Sequence, residues 1–191
     1  MFNDFFSSAI ALRNDNLLFS AKKRVLAAMI FAGAESASTI SDVEIKRQVL
    51  KHVVRKIAEE FPNTSKWCTS TLFISKTAIS ILEANGMTVL DLTDSTKTKK
   101  LGLIHEHGLP NSVFYEFALA LIARGGSISE MEIFLSNNFT VIATVEEGKL
   151  VDLQGKSKMP HGWIYGDEPF ARYSKAGLMG DLVLNTWYYK N

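Results

Sequence analysis

Residues 104–110 read IHEHGLP and hold two of the four histidines of this 191-residue chain, with Glu106 between them. Spacing decides what such a trio can do. On a helix, side chains two apart point about 200° from one another, so the imidazoles could not converge. On a strand, alternate side chains share a face. The preceding LGLI predicts a strand and Gly108 to Pro110 predicts the turn that closes it. His105 and His107 then face one way and Glu106 the other. Two imidazoles so placed can grip one divalent metal or flank one substrate atom. The plain alternative is a half-buried, hydrogen-bonded pair at the end of an element. Next comes a helix starting near Asn111 or Ser112, whose first N–H groups make a natural anion site.

The seven residues EHGLPNS resemble the opening element of HNH-type nucleases, in which an acidic residue or histidine precedes a histidine and a proline closes the strand turn. The resemblance implies metal-assisted cleavage of a phosphodiester in nucleic acid, with Glu106 at the acidic place and His107 as general base on water. In that family the following helix supplies a further histidine or asparagine as metal ligand. Here VFYEFALALIARGG contains neither. The implied divalent-metal set is therefore His105 and His107 with Glu116 or His161, and Arg172 would neutralise phosphate. A metal-free hydrolase or transferase using His105 and Glu106 as its catalytic pair is a further option.

Other residues bear on the same site. Glu116 is the lone carboxylate on an otherwise apolar helix, so it either faces solvent or needs a partner. The segment KMPHGWIYGDEPFARY gathers His161, Trp163, Tyr165, Arg172 and Tyr173 among glycines and prolines. Arg172, Tyr173 and Trp163 are the expected substrate contacts, since rigid aromatics and arginine recur at binding surfaces. Equally, the rings could simply pin the loop to the core. Arg47, Lys51 and Arg55 recur four apart on one helix face and, with KTKK at 97–100, form a basic surface or an ordinary solvated stripe. GKS at 155–157 lacks the upstream glycine of a phosphate loop, where Leu150 stands instead. Glu146 and Glu147 read as the start of a helix after a strand, not as a catalytic acid pair.

Composition sets the bounds. Lys and Arg number 21 against 20 Asp and Glu, for a net charge of +1, which argues against a chain dominated by polyanion binding but not against local patches. A single cysteine, Cys68, forbids an internal disulfide and favours a reducing, cytoplasmic setting. The apolar run VLAAMIFAGA is too short to span a bilayer, which takes about 20 residues. It reads as a core helix, and no membrane role is expected.

The elements that must position these residues follow from period and punctuation. Helices are expected over FFSSAIALRNDNLLFSAKKRVLAAMIFAG, broken at RNDN and ending near Gly33, and over SDVEIKRQVLKHVVRKIAEEFP, capped by Ser41 and Glu44. In the latter, Leu50, Val53, Val54, Ile57 and Phe61 make the buried stripe and Pro62 the stop. A third helix is expected over STLFISKTAISILEANG, closed at Asn85-Gly86. MTVLDL and LGLIH read as strands separated by a polar segment. NSVFYEFALALIARGG and SISEMEIFLSNN read as helices, FTVIATV as a buried strand, TVEEGKLVDL as a helix with a capping box, and DLVLNTWYY as a last strand. The expected fold is a single α+β domain over 1–191, its mostly helical half (1–86) packed on a small sheet of short strands from a mixed half (87–191). Two functions fit: a nuclease-like, metal-assisted enzyme, or a non-enzymatic interaction module whose aromatic loop and apolar helices bind another protein or a second copy of the chain.

Overall fold

The computed structural model describes residues 2–15, 17–60, 71–92 and 95–186. Among the described residues the chain is α+β, with nine helices and a small mixed sheet. The helices are α1 (Phe2–Asn14), α2 (Leu17–Ser38), α3 (Val43–Glu60), α4 (Lys76–Ala84), α5 (Ser95–Lys100), α6 (Asn111–Ala123), α7 (Ile128–Ser136), α8 (Val145–Leu153) and α9 (Ala171–Lys175). The strands are β1 (Phe73–Ser75), β2 (Leu103–His107), β3 (Thr140–Thr144) and β4 (Leu182–Leu184), in the spatial order β2-β3-β1-β4. β1 and β3 run parallel at the centre, while the edge strands β2 and β4 are antiparallel to their neighbours.

Pleating distributes side chains to two cores. Phe73 and Val141 point to one face, where Phe6 of α1, Phe139, Phe170 and Tyr173 cover them. The rings of Phe139 and Phe170 stack there at 4.3 Å. Ile74, Ile142 and Leu103 point to the other face, against Ala78 and Leu82 of α4 and Leu92. A separate helical core joins Leu26 and Ile30 of α2, Leu50 of α3, Phe114 and Leu121 of α6, and Met131 and Leu135 of α7. The nearly all-round apolar α6 thus lies where its sequence predicts, within the protein.

Several boundaries differ from expectation, each for a physical reason. Helix α2 continues past Gly33 to Ser38, because Ala34 and Ala37 bury against the helical core. Asp42, not Ser41, caps α3: its Oδ1 accepts from the N–H groups of Glu44 and Ile45, both at 2.9 Å. Phe73–Ser75 is a strand instead of the first turn of a helix, because pairing with both β3 and β4 outweighs local periodicity. The sheet therefore draws β1 from the half expected to be helical. MTVLDL holds a short 3-10 turn at Val89–Asp91 instead of a strand, and the polar segment before β2 contains helix α5. The side chains of Val53, Val54, Arg55 and Ile57 lie outside the described residues, as do Phe61, Pro62, Trp67, Cys68 and the closing WYY. No helix among the described residues is long and apolar enough to cross a membrane.

Candidate functional site

The cluster at 104–110 has the predicted strand geometry. In β2, His105 pairs with Ile142, Glu106 with Val141 and His107 with Thr140. The two imidazoles therefore share the Ile142 face, with ring centroids 5.7 Å apart, and Glu106 turns to the face of Phe73 and Val141. Each imidazole has one nitrogen shut from solvent, Nε2 in His105 and Nδ1 in His107. His105 Nε2 is shut from solvent, and this desolvation, with the neighbouring His107, pulls the imidazole pKa down to about 3. His105 is thus neutral across the physiological range. His107, at the strand end, reaches the wall of an open cleft of about 920 Å³.

The end of β2 is locked from behind. Arg172 of α9 is 1 % exposed; its Nη1 donates to Glu106 Oε1 at 3.2 Å and to the His107 carbonyl at 3.1 Å, and its Nη2 donates to Asp152 Oδ1 at 3.3 Å. Burial raises the Glu106 pKa, and the adjacent guanidinium only partly opposes it. The following Gly108 donates its N–H to the Phe139 carbonyl at 2.9 Å. A Cβ there would fall 2.2 Å from the Phe139 ring, so only glycine permits this close approach.

Helix α6 opens into the same cleft. Its N-cap is Pro110, which carries no side-chain acceptor, so no side chain caps the first turn. Asn111 and Ser112 line the cleft. Across from them stand Arg47 and Lys51 of α3, and Lys156 and Lys158 of the turn after α8. That turn is fastened to the helix mouth by Ser112, whose hydroxyl donates to the Ser157 carbonyl. Arg47 is held by the Tyr115 hydroxyl, which accepts from its Nε at 3.2 Å, and by Glu116 at 3.7 Å. Among the described residues no carboxylate pairs with Lys51, Lys156 or Lys158.

The expected residues thus divide. His107, Glu106, Glu116 and Arg172 all line the cleft, whereas His105 lies behind it. Glu116 is exposed, as one of its two readings required, and faces Arg47 on the rim. His161 is exposed in the turn at 160–163 and is not part of the cleft wall. Among the described residues no three His, Cys, Asp or Glu side chains gather as a metal-holding group; of the implied set His105 and His107 adjoin, Glu116 faces Arg47, and His161 lies outside the cleft wall. Tyr173 is fully buried against Phe139 and cannot touch a ligand, and the guanidinium of Arg172 is already committed to two carboxylates. Trp163 is half-buried on the helical core, with its Nε1 donating to the Glu168 carbonyl at 3.0 Å.

The cations that do face the cleft carried weaker sequence signals. Arg47 and Lys51 belong to the basic stripe of α3, whereas Lys99 and Lys100 of α5 are not in the wall. Lys156 and Lys158 flank the GKS that fails as a phosphate loop, and they arrive through a hydrogen bond between residues 45 apart. No local pattern announces that contact. No protein family, no curated protein and no solved structure matches this chain.

Proposed function

We propose that the cleft binds a phosphodiester and that His107 acts in it as general base, the substrate most simply being nucleic acid. One observation carries this reading: His107 and the uncapped mouth of α6 open into a cleft whose wall holds Arg47, Lys51, Lys156 and Lys158 beside Glu44, Glu106 and Glu116, and three of those cations have no carboxylate partner among the described residues. Helix N–H groups and clustered cations favour a bound phosphate and the extra charge that develops on it as water attacks. His107 would accept a proton from that water as the new P–O bond forms. The ester P–O bond then breaks, and the departing oxygen takes a proton from solvent. Neutral His105 adds no positive charge to oppose protonation of its neighbour. The Arg172 bonds to the His107 carbonyl and Glu106 hold the strand end still meanwhile.

These steps use the chain's own residues and solvent, and metal dependence is measured directly. Magnesium, manganese and chelator are therefore separate arms of the test. Labelled single- and double-stranded oligonucleotides are incubated with the protein in each arm. His107→Ala is expected to lose about 100-fold or more of the cleavage rate, as removal of a general base does, with an unchanged melting temperature. Full cleavage by that variant in every arm would remove His107 from the chemistry.

A further inference from the structure

A second, shallower groove of about 300 Å³ adjoins the cleft and shares two residues with it, Glu116 and Lys158. Its remaining wall is apolar and aromatic: Val113, Met159, Trp163, Ile164 and Tyr165. Building on the phosphodiester reading, we propose that this groove is a subsite for one unpaired nucleobase of a strand whose phosphate lies in the cationic cleft.

The groove is rigid. The Tyr165 ring leans on Phe117 at 4.9 Å, Phe134 at 5.8 Å and Trp163 at 5.7 Å, so buried rings support it from behind. The loop beneath is braced on itself, since Ile164 N–H donates to Asp167 Oδ2 at 2.9 Å and Asp167 N–H donates to the Ile164 carbonyl at 3.0 Å. Even so, Ile164 is 67 % and Tyr165 43 % exposed. A large apolar side chain and a ring are thus held toward solvent in a fixed frame, which lowers the entropy lost when a flat ligand packs on them. Glu116 at the shared rim is an acceptor suited to the amino or imino hydrogens of a base. Lys158, shared with the cleft, marks where the phosphate would lie.

The size and chemistry select the occupant. About 300 Å³ suits one or two flat rings, not a base pair with its two backbones. Stacking on aromatic side chains is sequence-tolerant, because every base has a π-face. The groove would therefore make the site prefer single strands, or bases turned out of a duplex, without reading their sequence.

The test compares two labelled strands of equal length and charge, one carrying bases and one abasic, by fluorescence anisotropy at low salt. The wild-type protein is expected to bind the base-bearing strand about tenfold more tightly, in keeping with the loss of one base–aromatic stack. Tyr165→Leu, which keeps an apolar contact for Phe117 and Phe134, should abolish most of that preference while leaving abasic binding unchanged. Ile164→Ala, at a side chain too exposed to support the core, should do so in part, and thermal melting checks that both variants fold. Equal binding of the two strands by the wild type, or variants that lose both affinities together, would overturn the base subsite while leaving the phosphodiester reading in place. Failure to bind either strand would overturn both.

Discussion

Three strands of this protein each lead to a helix, and the three helix mouths are treated in two different ways. The neighbouring parallel strands β1 and β3 run into α4 and α8, and one buried carboxylate closes both ends. Glu147 Oε2 accepts from Ser75 Oγ at 2.7 Å, from Thr144 N–H at 2.8 Å and from Thr144 Oγ1 at 3.1 Å. In return, Ser75 Oγ accepts from Ala78 N–H and Thr144 Oγ1 from Glu147 N–H, both at 3.1 Å. The chain supplies its own anion to two positive helix ends. At the mouth of α6 no side chain caps the helix: Pro110 carries no acceptor, and the cleft it opens into is walled by Arg47, Lys51, Lys156 and Lys158 together with Glu44, Glu106 and Glu116. The contrast is between two helix ends that the fold closes with its own carboxylate and one that no side chain caps.

The largest expected effect separates the two regions by pH. His105 has a pKa near 3 in the folded chain against an ordinary value of 6.5. A depressed folded pKa means the unfolded chain binds the proton first, so the stabilisation is present above pH 6.5 and lost as pH falls toward 3. Between pH 7 and pH 4 the loss should reach about 3 kcal/mol. Denaturant unfolding at both pH values, on wild type and His105→Leu, reads this group, because the variant lacks its titration. Parallel curves would show that His105 does not resist protonation. Amide exchange sharpens the comparison: at pH 5 protection should weaken first in β2 and the start of α6, while β1 and β3 hold.

The closed region is broken through Glu147. Glu147→Ala strands the Ser75 hydroxyl and the Thr144 N–H in an interior where Glu147 is 8 % exposed and Ser75 1 %. A loss of about 2 kcal/mol is expected, the usual scale for buried donors left without an acceptor. Oligonucleotide binding at the α6 cleft should be unaffected once the protein is folded. A variant as stable as wild type would mean water replaces the carboxylate, and the shared-anion account of these two corners would fail.

These two regions were not equally legible in the sequence. The closed end announced itself locally, through the Thr144-to-Glu147 capping box, as did the far end of α4 at Asn85-Gly86, where Gly86 adopts φ 63°. Strand alternation was also enough to set His105 and His107 on one face. What the sequence concealed is long-range. Ser75 belongs to a strand only because Phe73 and Ile74 find partners at Val141 and Ile142, and the helical period of its own segment points the other way. Arg172 reads as a surface cation until it meets Glu106, 66 residues away. Lys156 and Lys158 reach the cleft beside the contact of Ser112 with Ser157, and no spacing rule connects residues so far apart.

That last contact gives the smallest and most discriminating effect. Ser112→Ala removes the hydroxyl that fastens the Ser157 carbonyl to the mouth of α6. Ser112 is partly exposed, so water can replace the lost bond, and stability should fall by less than about 1 kcal/mol. Ligand binding should respond differently, because freeing the turn lets Lys156 and Lys158 leave the wall they share with Arg47 and Lys51. A severalfold weaker affinity for the abasic strand, with a nearly unchanged melting temperature, would show that the fold invests this bond in the ligand. Unchanged affinity would mean the two lysines act from wherever the turn lies, as diffuse charge. In that case α6 would be an open helix end without a built site around it, and the contrast with the closed corners would be one of capping alone.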